Sequence, residues 1–531
     1  MNNKKYNGWL AFLYLLIAFL FGVSVAINFL PSKKANIKNA HLQKLNEVMN
    51  YIDEYYVDSV DVDSIYDVAI NSILQSLDPH SAYSSPEENK AMMESLGGSF
   101  EGIGIQFNIM NDTLMVVSTI TGGPSEKAGL KAGDRIISVD GKSIIGITND
   151  KAFKLLRGKK GTIVKVGVRR PGFKETYHYE IKRDVIPTYT VDVAYMFDKN
   201  VGYVKINEFG STTTDEFISA IKKLKGQGMT SMIVDLRGNS GGFLDAAIGV
   251  CDELLSNKQK IVSIEGLKQR PEKITATRKG NFETGKVVIL IDDFSASASE
   301  IVAGAVQDND RGYIVGRRSF GKGLVQRQFD LSDKSTIRLT TARYYTPSGR
   351  CIQREYNKGT EAYYDEIVNR YISGEMASID SIKLDSTKAY KTVKGRTVYG
   401  GGGIMPDYFV PIDRGNALDG YYQVANTAAL IQYAFDYTNA HKSALKKSYP
   451  NATALISKMV VTDAQLAEML AYYKKITKSN VPTLSAASKA ELKLWIKALI
   501  GRNLYGNDAF YPVVNSSDPV IKKARSVISS K

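Results

Sequence analysis

Between about residues 190 and 412, short apolar runs alternate with stretches of helical periodicity, and this alternation restricts the fold more than any other feature. Strands are expected at Gly202–Ile206, Ser231–Leu236, Val287–Ile291 and Tyr313–Val315. Helices are expected at Thr213–Leu224, Phe243–Leu255 and Ala298–Gln307. Strands interleaved with helices build an α/β core. A Tyr- and charge-rich stretch from Arg354 to Lys394 interrupts the pattern and reads as an insert.

The flanks have other textures. From Gly97 to about Asp184, the β-like runs Gly102–Phe107, Thr113–Ser118, Arg135–Val139 and Thr162–Arg169 are separated by glycines. That spacing suits a small, partly open barrel with one or two short helices. Before it, Leu42, Leu45, Val48, Met49 and Ile52 recur at helical spacing, Ile65 to Leu77 repeats the pattern, and Leu77-Asp-Pro-His-Ser81 ends it. Beyond Leu418, helices are expected at Val424–Phe435, Ala464–Tyr473 and Lys489–Ile500. A chain of 531 residues accommodates these regions as three or four domains.

Trp9 to Leu30 is a run of 22 residues without a charge, preceded by Lys4 and Lys5. A bilayer needs about 20 apolar residues, so an uncleaved anchor is expected, with Ser24-Val-Ala26 leaving a cleaved signal open. The bulk of the protein is then expected outside the cytoplasm. Lys plus Arg exceeds Asp plus Glu by 69 − 55 = 14. From Lys442 to Lys531 there are 15 basic and 5 acidic residues, so +10 of that surplus belongs to the tail. The remainder is nearly neutral and offers no long basic groove, which argues against nucleic acid.

Scarcity narrows the chemistry further. Four histidines (His41, His80, His178, His441) lie far apart and form no zinc-like spacing, so no metal and no cofactor are expected. Cys251 and Cys351 cannot make a disulfide framework, and two free thiols are expected. The densest signal is Asp292-Asp-Phe-Ser295-Ala-Ser297-Ala-Ser299-Glu-Ile301 after an apolar strand. A strand that delivers a hydroxyl to a helix N-terminus suits a nucleophilic serine, although a serine-rich N-cap has the same letters. With no histidine between His178 and His441, the base available nearby is lysine, and Phe320-Gly-Lys322-Gly323 frames one between glycines. Desolvated, such an amine accepts a proton near neutral pH. Gly316 to Gly323 also approaches a phosphate-binding G-x-x-x-x-G-K-[ST] loop, but Gly323 replaces the hydroxyl and a strand-like run follows. A third element, Met232-Ile-Val-Asp-Leu-Arg-Gly-Asn-Ser-Gly241-Gly242, runs a buried strand into glycines that expose backbone N–H groups, as an oxyanion hole requires.

Together these motifs resemble the C-terminal processing (tail-specific) peptidases of family S41. The resemblance rests on Asp235–Gly242, Ser295–Ile301, Gly321-Lys-Gly323 and Gly400-Gly-Gly-Gly-Ile-Met-Pro-Asp407. Gly102-Ile-Gly-Ile105, Pro124, Ala128–Asp134 and Leu77–Ser81 match the same family's PDZ domain and preceding helical segment, all in family order over about 40–412. The implied fold is a multidomain α+β protein. It comprises a membrane segment (1–35), a helical segment (39–96), a PDZ domain (97–185), a crotonase-like peptidase core (190–412, insert 354–394) and a basic helical region (418–531). The resemblance implies Ser297 as nucleophile, Lys322 as general base and Gln326 as the residue positioning the lysine. It assigns the oxyanion hole to the N–H groups of Gly242 and Ala298, and capture of a peptide C-terminus to Gly102, Ile103, Gly104 and Ile105. The implied function is a serine endopeptidase acting on extracytoplasmic proteins in a bacterial envelope, inner-membrane anchored or released to the periplasm. A catalytically idle PDZ scaffold is the alternative, and a homodimer is left open. Cys351, the long insert and the basic tail depart from the family pattern.

Overall fold

The computed structural model describes residues 36–530 apart from 111, 121, 132, 171, 172, 174 and 413–418. The expected anchor, residues 1–35, lies outside the described residues. Among the described residues, no helix is long and apolar enough to cross a membrane. The chain divides into two units, Met1–Ile73 and Leu74–Lys531. In the first, the expected periodicity gives the helix Asn36–Tyr55, whose Leu42, Val48 and Tyr51 are exposed.

In the second unit, residues 99–187 form a small antiparallel sheet in the order 105–110, 113–119, 135–139, 163–169, 176–182. Alternating residues of its strands, including Leu114, Val116, Ile136, Val164, Val166 and Val168, meet in one core. The expected single run Gly102–Phe107 divides at Gly104, where φ is +71°. Ser99–Gly102 pairs with Asp184–Pro187, and Ile105 begins the sheet proper. A left-handed residue between the two is glycine for steric reasons.

The core region carries a six-stranded sheet in the order 191–196, 201–206, 231–235, 286–291, 313–316, 408–409. Its first pair is antiparallel and the others are parallel. Strands buried on both faces read as continuous apolar runs, as Ser231–Asp235 and Lys286–Ile291 do. The helices Thr213–Gly226, Leu244–Leu254 and Ala298–Asp308 cover one face. The second face is covered from far along the chain: Val520, Ile521, Ala524, Val527 and Ile528 of the helix Pro519–Ser529 pack on Tyr203, Ile233, Val288, Leu290 and Val315. The tail, expected as one region from 418, is therefore shared between two cores. Helices between Tyr421 and Tyr505 enclose their own apolar cluster, including Leu430, Leu466, Met469, Leu492 and Ile496. The last helix completes the sheet, because a parallel sheet with one face bare leaves its apolar side chains in water. The expected helix Val424–Phe435 is also broken into Tyr421–Ala425 and Ala429–Ala440. Thr427 Oγ1 donates to Val424 O (2.8 Å) and accepts from Ala429 N (3.3 Å), diverting the backbone locally.

A second sheet stands beside the first. Its central strand, Thr336–Tyr345, pairs with Leu324–Asp330, Ala82–Ser84 and Lys260–Gly266. The 354–394 stretch contributes the helix Thr360–Ile372, anchored where Glu366 meets Arg318, Arg354 and Arg370.

Candidate active site

The three alternating serines have separate tasks. Ser295 and Ser299 are fully buried. Ser295 Oγ donates to Leu236 O and Ser299 Oγ to Asn239 O, both at 2.9 Å, and Ala296 N donates to Asn239 O at 3.0 Å. These bonds fasten the turn to the Asp235–Gly242 loop. Ser297, between them, has φ +54°, a left-handed conformation rare for a residue with a Cβ. It stands at the N-terminus of Ala298–Asp308, where unpaired N–H groups and the helix dipole favour negative charge.

The glycine loop is built to approach it. A Cβ on Gly241 would lie 2.8 Å from Ser297 Cβ, and one on Gly242 would lie 2.2 Å from Phe209 O. Asn239 Oδ1 accepts from Gly241 N (2.9 Å) and Asn239 Nδ2 donates to Ile206 O (3.0 Å), which ties the loop back to the sheet. Among the described residues, the N–H groups of Gly242 and Ala298 have no acceptor. Gly241 was not among the expected site residues, although its adjacency to Gly242 is visible in the letters.

Glu300 joins the serine turn to the lysine loop. Its Oε2 accepts from Ser297 N and Lys322 N, both at 2.8 Å. Its Oε1 accepts from Gly321 N (2.7 Å) and Ser319 Oγ (2.5 Å). The group is fully buried, which pushes its carboxyl up from the ordinary range, while these four donors pull it back. Tyr344 closes the other side: its hydroxyl donates to Lys322 O (2.8 Å) and Ser297 O (3.2 Å). Neither residue was expected as part of the site. The N–H groups of Gly321 and Lys322, which a phosphate would need, are occupied by Glu300, and the following residues form the strand Leu324–Asp330.

Burial lowers the Lys322 amine from its ordinary value to about 8. Arg338 adds to the lowering, and Glu300 and Asp78 oppose it. Among the described residues, no hydrogen bond joins Lys322 Nζ to Ser297 Oγ. Gln326 Nε2 donates to Thr340 Oγ1 at 3.4 Å and makes no hydrogen bond to the lysine. Such contacts often tighten only when substrate binds. His80 lies near Lys322, but burial first, then Lys322, lower its imidazole to about 3, and its Nε2 is paired with Tyr363 OH at 2.8 Å. Among the described residues, no cluster of three or more His, Cys, Asp or Glu is disposed to hold a metal ion. Both cysteines are free thiols.

In the small β domain, the Ile103 and Gly104 carbonyls accept from Ser125 N and Ile120 N, both at 3.0 Å. Their own N–H groups have no acceptor among the described residues. The strand Ile105–Met110 is an edge of its sheet, and Phe107 on it faces Phe153 of the helix Asn149–Leu156, ring centroids 4.9 Å apart. An edge with apolar rings beside it is suited to receiving an extended peptide.

Residues 200–362 match peptidase family S41, 91–169 match the PDZ domain, and 420–506 match a family of unknown function. Carboxy-terminal processing protease CtpA of Bacillus subtilis (strain 168) is 37% identical over 365 residues, 68% of this chain and 75% of that protein. The carboxy-terminal-processing protease of Bartonella bacilliformis (strain ATCC 35685 / KC583 / Herrer 020/F12,63) is 40% identical over 317 residues, 59% of this chain and 72% of that protein. Among solved structures, the photosystem II D1 C-terminal processing protease is 29% identical over 58% of this chain and 88% of its own, with a TM-score of 0.33. A PDZ domain ahead of an S41 core, in a chain matching these proteases over most of their length, makes this protein a member of the carboxy-terminal processing serine proteases of peptidase family S41.

Proposed function

We propose that Ser297 is the nucleophile and Lys322 the general base of a Ser-Lys dyad that cleaves proteins presented by their C-termini. The observation carrying this reading is Glu300, whose one carboxylate oxygen takes the N–H of both residues and holds them to a common point. In the mechanism, neutral Lys322 accepts the Ser297 hydroxyl proton as Oγ attacks the scissile carbonyl. The oxyanion is received by the N–H groups of Gly242 and Ala298. The protonated lysine then gives its proton to the leaving amine; water, deprotonated by the lysine, attacks the acyl carbonyl, and the lysine returns that proton to Ser297 Oγ as the acid leaves. Gln326 steers the lysine once substrate draws the groups together. The substrate C-terminus is captured at Gly102–Ile105 and its chain is added along Ile105–Met110.

The site of action in this proposal is the bacterial cell envelope, with residues 1–35 anchoring the protein in the inner membrane and the rest in the periplasm. The test is a Ser297→Ala variant offered a model protein with an apolar C-terminus. Loss of cleavage with retained capture of the uncleaved protein is expected, and continued degradation would overturn the assignment. Recovery of the full-length protein in a soluble rather than a membrane fraction would overturn the anchor.

A further inference from the structure

The turn Leu77–Ser81 meets the strand Thr336–Tyr345 at Thr340, and nothing in the mechanism uses it. We propose that Asp78 is a positioning residue for the proton-accepting lysine, acting through Thr340 and Gln326 and supplying the negative charge that offsets Arg338. The inference rests on the reading of Lys322 as general base.

The geometry begins with a fault in the second sheet. Pairing of Leu324–Asp330 with Thr336–Tyr345 shifts register between Val325 and Gln326, so that Val325 opposes Ala342 and Gln326 opposes Thr340. A bulge of this kind re-aims the side chains beside it. On its other edge, Thr336–Tyr345 pairs with Ala82–Ser84 as far as Arg338 and with Lys260–Gly266 from Arg343. Residues 339–342 lie between these partners, and Ser81 Oγ takes the Thr340 N–H there at 3.1 Å.

Asp78 then does more than shape its own turn. Two of its bonds are local: His80 N (2.8 Å) and Ser81 N (2.9 Å) donate to Oδ1. The others extend to the hairpin. Ser81 Oγ, which holds Thr340 N, donates to Oδ2 at 2.6 Å, and Thr340 Oγ1 donates to Oδ1 at 3.0 Å across 262 positions of sequence. With its hydrogen committed to Asp78, Thr340 Oγ1 can only accept from Gln326 Nε2. The orientation of the Gln326 amide is thereby set, leaving its carbonyl oxygen as the acceptor a lysine ammonium needs.

The groups whose charges act on Lys322 are Arg338 of the hairpin, Glu300 of the serine helix and Asp78 of the turn, and Lys322 in turn acts on His80. His80 is neutral, so Asp78 and Glu300 are the two anions set against Arg338. Removing Asp78's charge destabilises the protonated lysine, and the acid limb of the pH profile then moves to lower pH.

The test measures kcat, KM and the pH dependence of kcat/KM for the full chain and the variants Asp78→Asn, Thr340→Val and Thr340→Ser, cleaving a peptide with an apolar C-terminus. For Asp78→Asn we expect kcat about tenfold lower and the acid-limb midpoint moved to lower pH. For Thr340→Val we expect a similar fall in kcat with KM and midpoint unchanged, and Thr340→Ser restores the parental kcat. A parental midpoint in a folded Asp78→Asn protein overturns the proposal, as does a parental kcat in Thr340→Val or failure of Thr340→Ser to restore it. Should Asp78→Asn fail to fold, the Thr340 pair decides alone. Ser297→Ala and Lys322→Ala are measured alongside. Activity in these two defeats the dyad itself, whereas their inactivity beside a parental Asp78→Asn and Thr340→Val defeats this inference alone.

Discussion

The serine half of the site and the lysine half are held in different ways. Ser297 sits on a turn fastened by neighbours that follow two strands of the central sheet: Leu236 and Asn239 after Ser231–Asp235 and Asp292 after Lys286–Ile291 supply its bonds. Lys322 sits in a loop held by residues scattered through the chain. Asp78 and Ser81 reach its hairpin, Tyr344 O–H donates to its carbonyl, and Gln353 Oε1 accepts from Gly323 N (2.8 Å). Arg370 of the insert donates to Ser319 O at 2.8 Å. One half is a product of local topology and the other of assembly, and Glu300 is the group that belongs to both. The serine turn draws most of its bonds from the central sheet, while the lysine loop also draws on the N-terminal turn and the insert.

The contrast is sharpest in the two residues themselves. Ser297→Ala and Lys322→Ala should each lower kcat/KM by at least about a thousandfold. In the parent protein, kcat/KM should fall about tenfold per unit as pH drops below about 8, because the lysine regains its proton there. A profile flat down to pH 6 would remove the lysine from the base role. Glu300→Gln keeps the shape but loses the charge and one accepting oxygen, so both halves shift. A fall of about a hundredfold in kcat is expected, and a near-parental rate would show the halves to be independent. Ile521→Ala, on the sheet face remote from the lysine, should cost about 2–5 kcal/mol in denaturant unfolding. It should leave the pH midpoint untouched; a moved midpoint would blur the distinction between the halves. Smallest is Tyr344→Phe, which removes a hydroxyl donating to two carbonyls and should lower kcat by less than about tenfold.

The same contrast explains what could be read from the letters. The sheet strands, the covering helices and the position of Ser297 between its strand and its helix are legible because apolar runs, period and glycine placement are local properties. Expected Ser231–Leu236 and Val287–Ile291 agree with Ser231–Asp235 and Lys286–Ile291. Tyr344 left no trace, since a tyrosine in a strand has the pattern of any half-buried aromatic until Lys322 O lies under its hydroxyl. Leu77–Ser81 is legible as a break in helical periodicity and as a family motif, but its contact with Thr340 is set by tertiary packing. Helix Pro519–Ser529 is not separable from the basic tail in the letters, because Lys522, Lys523 and Arg525 interrupt the stripe Val520, Ile521, Ala524, Val527, Ile528 that the fold buries.

That last helix also bears on the timing of biosynthesis. The sheet's final strand ends at Phe409 and its cover begins at Pro519, 519 − 409 = 110 positions later. At about 5–20 residues per second, a ribosome takes on the order of 5–20 s to add them. For that interval the nascent sheet has one greasy face uncovered, and a chaperone that shields it would act on this protease before its polypeptide is complete.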